Sequence, residues 1–169
     1  MDREEALFRA AVAELAAIVG VEVPARAFDD EHERWPIYEK SWNRPEAWPA
    51  LLRLVGLEPV PGLGVTIALQ MVEVVDDADQ DRWVRAVPPE DQGFPRWRAR
   101  EVRIARTMAG EGAVPAEVDV EQWSDWLQRR VSEESSRLGV LDALAVEGRT
   151  RRVRAVAAQR AAQARKRIP

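Results

Sequence analysis

At 169 residues, 46% of them hydrophobic and 32% charged, the chain has the size and composition of one soluble globular domain rather than of a disordered polymer. It contains no cysteine, which excludes disulfides, thiolate catalysis and sulfur-ligated zinc, and it has no uninterrupted apolar run of the length a membrane span needs. The net charge of −4 is unevenly spread: residues 1–147 hold 17 basic and 29 acidic groups, whereas residues 148–169 hold eight basic residues and no acid, so the body repels nucleic acid and any polyanion must meet the carboxyl end or a local patch.

The chain opens with "MDREEALFRAAVAELAAIVG". Leu7, Phe8, Ala11, Val12, Leu15, Ile18 and Val19 recur at helical spacing, Asp2 and Glu5 stand as a capping box, and Gly20 is a stop. The acidic opening is opposite in sign to a secretory leader and predicts a cytoplasmic chain. The scarcity of lysine and asparagine suggests a GC-rich bacterial genome. Residues 21–44 read as an irregular loop, acidic and then aromatic, broken by Pro24 and Pro36, with room for one short helix. A second helix starts between Pro45 and Pro49 and buries Trp48, Leu51, Leu52 and Val55.

The stretch "EPVPGLGVTIALQMVEVVDD" is rich in strand formers, yet Leu63, Ile67, Met71 and Val74 keep helical time, and so do Thr66, Gln70, Glu73 and Asp77; periodicity predicts a helix. "DDADQD" reads as an acidic linker before a short helix or turn holding Trp83 and Val84. Residues 94–109 predict a helix with Phe94, Trp97, Ile104, Ala105 and Met108 inward and Arg96, Arg100 and Arg103 outward. After a flexible "GEGAVPAEV", Asp119 and Gln122 form a capping box for a helix that buries Trp123, Trp126, Leu127 and Val131. Ser135 or Ser136 caps the next helix, which carries Leu138, Leu141 and Leu144. Gly148 follows as a C′ residue and Thr150 as an N-cap, predicting a tight antiparallel hairpin with the last helix. The sum is an all-α single domain over 1–169, with six or seven helices packed as antiparallel pairs.

The basic closing helix does not gather its arginines on one face. At about 100° per residue, Val153, Val156, Ala157, Ala161, Ala164 and Ile168 form one arc, and Arg160 falls inside it. Such a residue pairs with a carboxylate or extends its guanidinium to the rim. The helix therefore reads first as a packed amphipathic element whose arginines are used internally, with a frayed basic end at 166–169.

The segment "VLDALAVEGRTRRVRAVAAQRA", with its Val153, Arg154 and Ala157, resembles one unit of a HEAT-type helical repeat. "WPALLRLVGLEPVPGLGVTIALQM" is similar in outline but lacks the Val-Arg pair. The resemblance implies helix pairs stacked as a protein-interaction scaffold. The separation of the two copies, near 90 residues, does not fit a regular array.

Chemistry leaves few marks. His32, the sole histidine, sits in "DDEHE", which reads as a solvated acidic loop; a cation held with Asp29 at i, i+3 spacing is the other reading. No serine lies in a nucleophile-elbow context, "PGLGVT" lacks the Lys and Ser/Thr of a phosphate loop, and no carboxylate pair is marked out by spacing. No catalytic residue, metal site or cofactor is expected. Five of the eleven aromatics fall within residues 28–48. Trp35, Tyr38 and Trp42 either pin the loop onto the helices or anchor a partner protein. Arg96, Arg98, Arg100, Arg103 and Arg106 form a second basic patch that pairs with nearby acids or meets an anion. The expectation is a non-catalytic protein-interaction module of a bacterial cytoplasm, serving as adaptor, regulator or immunity-type inhibitor. The alternative is a nucleic-acid-binding module using the arginines at 96–106 and 149–167, with Arg96, Arg100, Arg103, Arg151, Arg152 and Arg154 as contacts.

Overall fold

The opening periodicity is realised as α1 (Arg3–Val19), which buries Phe8, Ala11, Val12, Leu15, Ala16 and Val19. Gly20 ends it at φ +71°: the Gly20 and Val21 amides donate to the Ala17 and Ala16 carbonyls, which closes a Schellman motif that a side chain would strain. The computed structural model describes residues 3–60, 62–110 and 118–166. Among them the chain is all-helical, with nine α-helices where the sequence predicts six or seven, and three short 3-10 turns. The expected fraying of 166–169 falls outside the described residues, apart from Lys166, which caps the last helix.

Two of the additional helices come from segments that read as irregular. Residues 21–44 contain α2 (Glu31–Ser41), with Pro36 inside it. Asp30 starts it by accepting the His32 amide at 2.9 Å, and Arg34, Ile37, Tyr38 and Ser41, at i, i+3, i+4 and i+7, form its buried face. The acidic "DADQD" is not a linker but the first half of α5 (Asp77–Ala86): Asp77 and Asp79 lie in the first turn, where the helix dipole favours them. Buried Gln80 donates to the Val72 carbonyl at 2.8 Å.

Between these lie α3 (Trp48–Val55) and α4 (Leu63–Val74). The helical reading of the Val-rich stretch holds, although Val74 lies exposed and Gly64, Ile67, Ala68, Met71 and Val72 make the buried face. Gly62, at φ +82°, turns the chain into α4, and Gly64 sits so close to α3 that a Cβ there would lie 2.5 Å from the Val55 carbonyl oxygen.

The chain divides into two compact units, Met1–Ala99 and Arg100–Pro169, where the length predicts one domain. The buried apolar residues accordingly form two clusters with no member in common. In the first unit, Leu15, Leu51, Leu54, Ile67 and Met71 are fully enclosed, each contributing about 1.5–3 kcal/mol by leaving water. The division falls within α6 (Gly93–Ala109). Its inward apolar residues are Pro95, Ala99, Val102, Ala105 and Met108, whereas Phe94 and Trp97, expected inward, are 48% and 46% exposed. Their rings lie 5.7 Å apart on the flank of that stripe.

In the second unit, α7 (Asp125–Glu134) begins five residues later than the capping-box reading predicts. Asp119 accepts the Glu121 amide and caps only a 3-10 turn; Trp123 is extended, and Ser124 takes over as N-cap by accepting the Leu127 amide at 3.2 Å. Ser135 ends α7 rather than capping α8 (Leu138–Glu147): its hydroxyl donates to the Met108 carbonyl and accepts the Arg137 amide. Thr150 caps α9 (Arg151–Arg165) as predicted, accepting the Val153 amide at 3.2 Å. Gly148 is not left-handed. Its φ is −55°, and glycine is needed because a Cβ would collide with the Leu144 carbonyl and lie 2.8 Å from Val153 Cγ1. Val153, Ala157 and Ala161 are the buried face of α9.

Candidate functional site

The aromatic residues expected to meet a partner are drawn inward. Tyr38 is fully buried on α2 and is therefore not a surface anchor; its hydroxyl donates to Glu58 Oε2 at 2.7 Å. Trp35 is half-buried, packs edge-on against Tyr38 and Trp42, and donates to Glu39 at 2.8 Å. Trp42 is half-buried too: its carbonyl accepts the Trp48 indole at 2.9 Å, while its own Nε1 is buried with no hydrogen-bond partner among the described residues. Trp35 and Trp42 both pack against the first unit's core.

Sequence reasoning missed the polar centre beneath them. Arg34 is 1% exposed, and the Glu58 carboxylate, between α3 and α4, is enclosed with it. Arg34 donates through Nη2 and Nε to the two oxygens of Glu58, and through Nη1 to the Ala27 carbonyl at 3.3 Å. The Val60 amide and the Tyr38 hydroxyl complete the carboxylate's shell. Burial opposes the charge on Arg34, but the hydrogen bonds and charge of Glu58 outweigh it and raise its pKa. Burial first, and then the Glu58 carboxylate, raises the pKa of Tyr38 far above its usual 10. Every oxygen of this centre is satisfied, so the network specifies one arrangement. A signal was available in the sequence, because Arg34 occupies a core-facing position of the α2 face.

Above this centre lies a cavity of about 520 Å³ formed by α1, the turn before α2 and the α3–α4 connection. Phe8 and Phe28 are its aromatic walls; Glu4, Glu5 and Asp29 supply three carboxylates against one cation, Arg9, with the enclosed Glu58 beneath. Glu58 is neutralised by Arg34, and Glu5 by Arg9 at 2.9 Å. Glu4 and Asp29 make no ion pair among the described residues, which leaves the cavity with surplus negative charge. Aromatic faces and carboxylates each attract a cation. Among the described residues, no three His, Asp or Glu side chains are grouped so as to hold a metal ion. His32 is highly exposed, 3.9 Å from Glu31.

Several of the arginines expected to meet an anion are engaged by other groups. Arg96 donates to Gln92 at 3.0 Å, and Arg98 pairs with Glu73 at 3.5 Å. Arg103 and Arg106 are engaged by other groups, and Arg100 is exposed with no ion pair among the described residues. In the carboxyl-terminal segment, Arg149 pairs with Asp125 at 2.8 Å and donates to the Glu121 and Trp123 carbonyls; Arg165 grips Asp142 at 2.6 and 2.7 Å. Arg152 lies 3.8 Å from Glu133, Arg154 donates to the Gly148 carbonyl, and Arg160 extends to the Ser135 carbonyl at 3.0 Å. Arg151 is exposed and makes no ion pair among the described residues. Among the described residues no helix is long and apolar enough to cross a membrane. Comparison with family models, with curated proteins and with solved structures finds no match.

Proposed function

We propose that the chain is a non-catalytic protein-interaction module of a bacterial cytoplasm whose first unit receives a basic segment of another protein. The observation that carries this reading is the Phe-walled cavity with two carboxylates, Glu4 and Asp29, that make no ion pair among the described residues. The first unit supplies the matching field: residues 1–99 contain 11 basic and 19 acidic side chains, a surplus of eight negative charges that steers a cationic partner. An adaptor, regulator or immunity-type inhibitor works by occupying a partner's surface and needs no reactive group. The HEAT-like reading belongs to this proposal: α8 and α9, joined by Gly148–Thr150, would be one antiparallel helix pair of such a scaffold.

Affinity capture from a bacterial lysate, with wild type beside the Glu4→Gln/Asp29→Asn double variant, tests the reading. A basic protein retained stoichiometrically by wild type and lost in the variant is the expected result. No retained protein at any salt concentration, or equal retention by both, would count against it. The alternative, a nucleic-acid-binding module, draws on Arg100 and Arg151, whose guanidinium groups make no ion pair among the described residues. It predicts retention of DNA or RNA with a steep salt dependence.

A further inference from the structure

A guanidinium already stands against the aromatic wall of the acidic cavity, and it belongs to the chain itself. Arg9 lies one turn after Glu5 on α1, and its Nε and Nη2 approach Glu5 Oε1 at 3.0 and 2.9 Å. Its Cζ is 4.5 Å from the centroid of the Phe28 ring, within cation–π range. We infer that Arg9 is a resident surrogate for an arginine side chain of the bound protein, and that it competes with this arginine for Phe28 and Glu5. The inference rests on the proposed function and adds to it the identity of the recognised group and a self-occlusion that sets affinity.

Three observations argue for this exchange, the first of them for guanidinium in particular. The cavity pairs an aromatic face with carboxylates, and a planar, weakly hydrated guanidinium uses both at once, whereas a compact ammonium remains strongly hydrated. The 520 Å³ of the cavity is open with Arg9 in place, and Glu4 and Asp29 can meet an incoming cation before Arg9 moves. Arg9 is also easily displaced. Its side chain is 37% exposed and its ion pair is a single-turn surface contact, of the kind that holds weakly in water.

Calorimetric titration of the full chain with hexaarginine and with hexalysine tests this. Arg9→Gln should bind hexaarginine about five-fold tighter than wild type, with a smaller gain for hexalysine. Phe28→Leu in the Arg9→Gln background should cancel the gain. Because Arg9→Gln also removes a positive charge, Arg82→Gln, on an exposed position of α5, is the matched control and should leave binding unchanged. The inference is overturned if Arg9→Gln binds no tighter than wild type, if Arg82→Gln gains as much, or if hexalysine gains equally. The underlying reading fails separately: Glu4→Gln/Asp29→Asn would then leave hexaarginine binding unaltered in both backgrounds.

Discussion

The two units use arginine in opposite ways. The first is acidic and encloses the guanidinium of Arg34 among protein groups, with Glu58 as its counter-charge. The second has 14 basic and 10 acidic side chains, and it distributes its guanidinium groups over helix-end carbonyls and exposed carboxylates. A buried pair makes a fold depend on two atoms' worth of geometry, because either charge alone would remain desolvated. A dispersed set makes no such demand, since water replaces any partner that is lost.

The largest expected effect follows from this contrast. Arg34→Met strands the Glu58 carboxylate and should cost about 3–5 kcal/mol in urea unfolding, whereas Arg34→Met/Glu58→Leu should recover much of that loss. A single-variant cost under about 1 kcal/mol, comparable with a surface pair, would erase the distinction between the units.

Glycine packing comes next and sharpens the comparison, because both units contain a glycine that fills contact space rather than a left-handed turn. An alanine inside a helix ordinarily gains up to about 1 kcal/mol over glycine. At Gly64 the sign should reverse, with a loss of about 1–3 kcal/mol, because the new methyl meets the rigid backbone of Val55. Gly148→Ala should lose a similar amount against Leu144 and Val153. Thermal unfolding of both variants checks this, and a gain in either would show that the helices can part at no cost.

How far these features could be read from the sequence depends on whether their cause is local. α1 with Gly20, α4 and the Thr150 cap were legible, since spacing and caps act within a few residues. α2 was obscured by Pro36 and by a buried face that includes Arg34 and Ser41, residue types that usually signal solvent. The partner of Arg34, Glu58, is 24 residues away, and no periodicity links the two. The cavity was illegible for the same reason, being assembled from α1, one turn and one connection. Trp97 was misread because large aromatics usually fill cores, whereas on α6 the small residues Ala99 and Ala105 take the inward stripe. The course of Arg160 was legible: it lies on the apolar arc and does extend to the rim, though to a carbonyl rather than a carboxylate.

Tyr38 provides a pH test confined to the first unit. It is the single tyrosine of the chain, so its ionisation can be followed by tyrosinate absorbance. With its pKa raised in the fold, its contribution to stability is complete below pH 10. Above that, the unfolded chain releases the phenolic proton while the folded chain retains it, and stability falls as pH rises. Wild type should lose stability more steeply than Tyr38→Phe above pH 10. At neutral pH, Tyr38→Phe should cost about 1 kcal/mol for the hydrogen bond to Glu58. Parallel alkaline slopes would place the hydroxyl in water.

The smallest effect is expected at an exposed ion pair of the second unit. Arg165 holds both oxygens of Asp142, yet the two side chains are 54% and 44% exposed. Exposed pairs gain little over hydration and are screened by salt, so Asp142→Asn should change stability by under about 1 kcal/mol. That difference should shrink further between low and high salt, while the Arg34→Met defect should persist at both, because a buried carboxylate is shielded from ions as well as from water. A salt-insensitive loss of several kcal/mol at Asp142 would mean that the second unit, too, relies on a single desolvated pair.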